Sequence, residues 1–152
     1  MDFSIELEPF ENIIEDILKL VEMHHEETSF ISDFGLKFNP DLETYKQLDK
    51  NGTMKIFCAF DDDYNLIGYN IYSVFKHPHC KGLSVAMQDL FFVLPEYRCK
   101  GVGLSLIKES EEYFKNNNIK FVIQAASSKK DLSSLMLRSG YRPLDVTYIK
   151  EL

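Results

Sequence analysis

An α/β fold, a mixed and mostly antiparallel sheet of about six strands with helices on both faces, is predicted by three features of this 152-residue sequence. Two stretches with helical spacing of apolar residues come early. Three successive stretches rich in aromatic and β-branched residues follow. A buried-looking strand then runs through a glycine loop into an amphipathic helix at residues 90–114. The expected element order is β-α-α-β-β-β-α-β-α-β, in one domain spanning residues 1–152.

Phe3, Ile5 and Leu7 alternate as a short first strand. Ile13, Ile14, Ile17, Leu18 and Val21 recur at helical spacing and predict an amphipathic helix over residues 11–27. Asn39 and Pro40 supply a cap and a first-turn proline for a shorter helix with Leu42, Tyr45 and Leu48 on one face and Gly52 as its stop. Residues 54–60 and 66–75 flank the polar turn 61–65 and read as a hairpin. Residues 83–94 are long and apolar, as expected of a strand covered on both faces, and Pro95 ends it.

From Gly101 to about Asn116, Leu106, Ile107, Ser110, Tyr113 and Phe114 share one helical face. Asn116, Asn117 and Asn118 break the helix. Residues 121–125 read as a strand, residues 131–139 as a short helix stopped by Gly140, and residues 141–149 as a last strand.

The 17 Lys and Arg against 24 Asp and Glu give a net charge of −7, which repels phosphate polymers and anionic membranes and suits a basic partner. No nucleic acid and no membrane partner is expected. Three widely spaced cysteines, Cys58, Cys80 and Cys99, suggest neither a disulfide framework nor a zinc ribbon. His77, His79 and Cys80 cluster in one loop but number only three potential ligands, so no metal site is expected. The N-terminus lacks a basic, then apolar leader, and no apolar run approaches the ~18 residues of a membrane span. A cytoplasmic protein is the expectation.

The chemistry lies in residues 89–104. Here a strand meets a helix N-terminus through a loop with Gly101 and Gly103, where backbone N–H groups and the helix dipole favour a phosphate or pyrophosphate. Arg98 and Lys100 add positive charge. Leu104 after Gly103 breaks a P-loop pattern, which needs Lys-Ser or Lys-Thr. Leu106 and Lys120 fit a dinucleotide fingerprint poorly.

Arg98-Cys99-Lys100-Gly101-Val102-Gly103, following the strand at residues 83–94, matches Arg/Gln-x-x-Gly-x-Gly/Ala. In this motif, and in element order over the whole chain, the sequence resembles the GNAT superfamily of acetyl-CoA-dependent N-acetyltransferases. Residues 135–141 look like its helix-to-strand segment. His24 to Glu27, His79, Gln88-Asp89, Gly140 to Arg142 and the last five residues are also similar to small GNAT-like proteins encoded by phages, which implies a host cytoplasm.

The resemblance implies acetyl-CoA as co-substrate and an amine-bearing small molecule or protein as acceptor. Phe91, Phe92 and Val93 would pair their backbone with the pantetheine arm. Arg98, Cys99, Lys100, Gly101, Val102, Gly103 and Leu104 would cradle the pyrophosphate. The strands at residues 83–94 and 121–125 would splay, with the acetyl group in the opening.

Amine attack on a thioester needs a base, an oxyanion donor and a proton for the leaving thiolate. Asp89 shares the parity of Phe91 and Val93, which puts it on their face, and it is the first candidate base. Gln88 would point the other way. His24, beside the apolar face of the first helix, is a second candidate.

The superfamily often has a tyrosine acid at the position of Met136, and an asparagine near Lys129. Without them Tyr148 is the candidate acid, or the thiolate leaves unassisted. These departures also admit a non-catalytic acyl-CoA-binding or interaction module. Exposed strand edges at the hairpin or the last strand could pair in a homodimer.

Overall fold

The computed structural model describes every residue except Met1 and Ser128, and for Ile31 and Ser32 the backbone alone. Strands β1 (Phe3–Leu7), β2 (Met54–Asp61), β3 (Leu66–Lys76), β4 (Ser84–Val93) and β5 (Phe121–Ile123) form one sheet in that spatial order. The first four are antiparallel neighbours, and β5 lies parallel to β4 after a helical crossover. Helices α1 (Phe10–Thr28), α2 (Leu42–Lys50), α3 (Val102–Asn116) and α4 (Ser133–Arg138) complete the order.

Alternating strand side chains feed two cores. Ile56, Cys58, Tyr69, Ile71 and Phe92 pack against Phe10, Ile13, Ile17 and Leu20 of α1. Phe57, Ala59, Tyr72, Ala86 and Val93 pack against Val102, Leu106 and Phe114 of α3. The sheet is therefore covered on both faces, as its near-continuous apolar strands require. Helix α2 begins two residues later than Asn39-Pro40 suggests. Asp41 caps it by accepting from the Thr44 N–H at 3.1 Å.

The sheet has five strands, where about six were expected. Residues 141–152 form no regular structure, and Leu144, Val146, Tyr148 and Ile149 are exposed. Two local causes act together. Pro143 lacks a ladder donor, and the neighbouring edge, β5, is three residues long. So short an edge offers too few bonds to offset about 1–2 kcal/mol of ordering entropy per residue.

Two irregularities set the site. Ile71 pairs with Leu90 and Tyr72 with Gln88, so Asp89 is the extra residue of a β-bulge in β4. The β4–β5 ladder runs from Val85↔Phe121 to Met87↔Ile123 and stops, so the strands part there as a fork. Gln88 and Gln124 are the first residues beyond it.

Close approach of β3 to β4 needs Gly68, where a Cβ would meet the Phe92 carbonyl oxygen at 2.9 Å and Val93 Cγ2 at 3.2 Å. Gly68→Ala is expected to lower unfolding free energy by about 2 kcal/mol, the usual scale of overpacking. Urea denaturation measures this.

Candidate active site

The free edge of β4 is the first component. Leu94 N–H donates to the Ile67 carbonyl across the ladder at 2.9 Å. Antiparallel alternation then points the backbone groups of Val93 and Phe91 away from β3, into the fork. The Val93 carbonyl accepts from Arg98 Nε at 2.8 Å. The N–H groups of Phe91 and Val93 stand along an edge where an extended amide chain could pair. Buried Phe92 points its ring to the α1 face and stacks on His24 at 5.2 Å between centroids.

The loop is the second component. Cys99 and Gly101 have φ of +62° and +91°, a left-handed backbone that turns successive N–H groups the same way. The first N–H inside α3 to reach a carbonyl is that of Ser105, on Gly101. Those of Val102, Gly103 and Leu104 belong to the unpaired first turn. A Cβ on Gly101 would meet nothing within 4 Å, whereas one on Gly103 would meet Phe91 Cζ at 3.2 Å. Gly101 thus leaves the backbone open to a ligand, and Gly103 lets the helix sit close to β4. Val102 anchors the turn in the core, while Leu104 and Lys100 are exposed, the Lys100 ammonium lying 5.4 Å from the Tyr97 ring. Bare N–H groups at a helix N-terminus, beside an open strand edge, fit the pyrophosphate and amide arm of acetyl-CoA.

Arg98 is placed differently from a free phosphate ligand. Its guanidinium donates to Val93 and, through Nη2, to Glu27 Oε2 at 2.5 Å, and lies over the Phe92 ring. Glu27 also pairs with Lys130, so the end of α1 joins the loop after β4 to the segment after β5. Burial raises the Glu27 pKa, but hydrogen bonds and charge from Arg98 and Lys130 outweigh that and hold it below its ordinary value. Lys129 is tied to Asp33 at 2.8 Å and to the Ser29 carbonyl. The sequence gives no sign that Glu27 meets Lys130, because the two stand 103 residues apart.

The bulge overturns the parity expected of Asp89. Residues 91 and 93 face α3, and so does buried Gln88, opposite Tyr72. Asp89 instead faces α1 and α2, where its charge adds to the burial that raises the pKa values of Tyr45 and Tyr69. Solvent reaches Asp89, yet the surrounding protein desolvates it enough to raise its own pKa above the usual carboxylate value. A narrow apolar crevice lined by Ile17, Val21, Tyr45, Ile71 and Leu90 runs between α1, α2 and the sheet beside it.

His24 lies on the same face of the sheet, against Phe92 and Tyr69, but is chemically quiet. Its Nδ1 lies 2.9 Å from the hydroxyl of fully buried Tyr69. Burial, with Arg98, Lys130 and His25 adding to it against Glu27, lowers the His24 pKa to about 4. The ring is therefore neutral at pH 7, and the Tyr69 hydroxyl can donate to it. A folded-state value below the unfolded 6.5 gives stability that is present above pH 6.5 and lost as pH falls toward 4. His24→Phe should keep the stack on Phe92 but strand the Tyr69 hydroxyl, at about 1–3 kcal/mol at pH 7. It should also flatten the decline in stability between pH 6.5 and 4, as denaturant melts at pH 5 and 7 would show.

Tyr148 is 89% exposed in the C-terminal segment, with no hydrogen bond among the described residues, so nothing aims its hydroxyl at the fork. Met136 is buried, and the next residue after Gly140, Tyr141, donates to Glu111 at 2.5 Å. His77, His79 and Cys80 lie in an exposed turn, and no metal-holding cluster occurs among the described residues.

The profile of the Acetyltransferase (GNAT) family matches residues 17–137, which include α2, α3, most of α1 and α4, the fork and the loop. No curated protein matches the sequence. Among solved structures, the aminoglycoside acetyltransferase meta-AAC0020 from an uncultured soil metagenomic sample, in complex with sisomicin, superposes with a TM-score of 0.76 at 17% identity, over 99% of this chain and 96% of that one. Ribosomal-protein-alanine N-acetyltransferase from Brucella melitensis biovar Abortus 2308 gives 0.74 at 16% identity over 99% of each chain. AAC(6')-Iy with the bisubstrate analogue CoA-S-monomethyl-acetylneamine gives 0.72 at 18% over 100% of each. No helix among the described residues is long and apolar enough to cross a membrane. With the loop, the free strand edge and the family profile in agreement, this chain belongs to the acetyltransferase (GNAT) family and is an acetyl-CoA-dependent acetyltransferase.

Proposed function

We propose that this enzyme acetylates a primary amine on a cationic acceptor, with Asp89 as the group that receives the amine proton. The observation that carries the proposal is the bulge, which moves Asp89 off the α3 face and onto the face covered by α1 and α2. When bound, acetyl-CoA supplies a thioester carbonyl for the amine to attack. The chain's part is to hold that arm along the free edge of β4, over the N–H groups of Phe91 and Val93. Asp89, ionised above its raised pKa, attracts the ammonium form and takes its proton, directly or through one water.

Charge supports a cationic acceptor. Glu11, Glu15, Asp16, Glu22 and Glu26 are exposed on α1 against one lysine, Lys19, and the whole chain carries −7. Such a surface draws in an amine bearing further positive groups and repels nucleic acid. Structures similar to this one include proteins named for aminoglycosides and for a ribosomal-protein alanine, so both small and protein amines are represented. The acidic helix favours the small polyamine. The narrower phage likeness would place that acceptor in a host cytoplasm.

CoA release from acetyl-CoA, followed with a thiol reagent, tests this across a panel of aminoglycosides, linear polyamines and N-terminal peptides at low and high salt. Polyamines should react best and lose rate as salt rises. Peptides reacting best, without salt dependence, would refute the acceptor class.

A further inference from the structure

Two apolar surfaces lie exposed in the single chain. The first is on the sheet, at the end away from the fork. Phe75 pairs with Val85 across the β3–β4 ladder, and Val85 with Phe121 and Met87 with Ile123 across the β4–β5 ladder, so these side chains share one face. It is the face opposite α3, because the intervening Val74, Ala86 and Val122 pack into the α3 core. Helices α1 and α2 lie on the same side of the sheet, yet none of the five belongs to their core. Phe75, Met87 and Phe121 are 39%, 45% and 54% exposed.

The second surface is the segment after Tyr141. Tyr141 is fixed by its N–H on the Met136 carbonyl and its hydroxyl on Glu111, and beyond it the chain makes no hydrogen bond among the described residues. Leu144, Val146 and Tyr148 alternate with Asp145 and Thr147, which in an extended chain puts the three apolar side chains on one side. All three are more than two-thirds exposed, at 69%, 75% and 89%.

We infer that two copies of this chain form a dimer in which each lays residues 142–152 over Phe75, Met87 and Phe121 of the other. The lengths match: Leu144 to Tyr148 spans about 13 Å at ~3.3 Å per residue, and Phe75 to Phe121, two strands apart, about 10 Å at ~4.8 Å per strand. A segment is directed away from its own patch. Tyr141 is held on the α3 side by Glu111 and by Gln124, which has the parity of Val122, and Pro143 then biases Arg142 to an extended backbone that leads outward. With ~200 Å² for a whole aromatic side chain, Tyr148, Phe75 and Phe121 at these exposures bring about 350 Å² per copy, nearly half of the ~800 Å² that each partner of a specific dimer buries. Leu144, Val146, Met87 and the segment backbone add to it, and a twofold axis uses both surfaces of both copies. Charge points to the same place. No Asp or Glu lies between Asp63 and Asp89, exposed Lys81 stands in the turn beside the patch, and the Lys120 ammonium is 5.9 Å from the Phe121 ring. In a chain of net charge −7 this is where a second acidic copy, arriving with Asp145 and Glu151, is repelled least.

Sedimentation velocity over a range of concentrations tests this without cofactor or acceptor. The wild type should sediment at twice the 17.7 kDa of one chain. Val146→Glu on the segment and Met87→Lys on the patch change exposed side chains, so each should keep the wild-type circular dichroism while raising the dimer dissociation constant at least about tenfold. Phe121→Lys, a second patch variant, should act as Met87→Lys does. Mixed in equal amounts, the Val146→Glu and Met87→Lys proteins should associate more tightly than either alone. The mixed pair keeps one unaltered segment on one unaltered patch, and each variant's own dimer keeps none. A wild type that remains a single chain, its segment folded back on its own sheet, overturns the inference. So does a dimer that the segment or patch variants leave intact, or a mixture that associates no better than its components.

Discussion

Leu104→Glu should reduce acetyl-CoA affinity at least a hundredfold while leaving the protein folded and its melting temperature equal or higher. Leu104 is exposed on the third residue of α3, whose cap, Gly101, has no side chain to offer. A glutamate at this place can reach back to the cap N–H and lies favourably in the helix dipole, for about 0.3–1 kcal/mol of stabilisation. The same carboxylate occupies a donor proposed to hold pyrophosphate and repels its charge. At about 4 Å and an effective dielectric near 20, each such charge pair costs on the order of 4 kcal/mol, so even partial screening leaves a hundredfold loss. This variant separates cofactor binding from folding better than a substitution at Gly101, where φ of +91° strains any side chain. Calorimetry and a thermal melt on one preparation read both effects.

Asp89→Asn should lower kcat by about a hundred- to ten-thousandfold, the usual range for a proton-transfer group, with acetyl-CoA affinity little changed. In the wild type, kcat/KM should rise with pH through a carboxylate pKa above the ordinary value, because only the ionised form takes a proton. That acidic limb should vanish in the asparagine variant. Stability should move oppositely. A carboxylate whose folded pKa is raised favours the folded state below its unfolded pKa, and this contribution is lost as pH rises through the folded value. At pH 7 the ionised Asp89 therefore weakens the fold, and Asp89→Asn should melt higher than the wild type. Lower activity with higher stability is the signature of a strained functional group rather than a structural carboxylate.

Much of this architecture was legible in the sequence, for identifiable reasons. The helical face of Leu106, Ile107, Ser110 and Phe114 is buried as its spacing predicts, and the glycine loop sits at the start of α3. Both depend on local periodicity and turn chemistry. The expected last strand failed because a strand needs a partner as well as a pattern, and β5 offers only three residues. Asp89 stood out as a candidate base by type and region, but its face was misassigned, since one bulged residue reverses side-chain parity and leaves no local mark. The Glu27 junction was missed because it joins residues from distant elements.

Titration of the wild-type protein with acetyl-CoA, CoA, ATP and NAD by calorimetry tests the central claim most directly. Acetyl-CoA and CoA should bind with one-to-one stoichiometry, and ATP and NAD, which lack the amide arm proposed to pair with β4, should bind far more weakly. A folded protein that binds none of them, or that takes NAD as tightly as acetyl-CoA, would contradict the assignment of the fork and loop as an acetyl-CoA site.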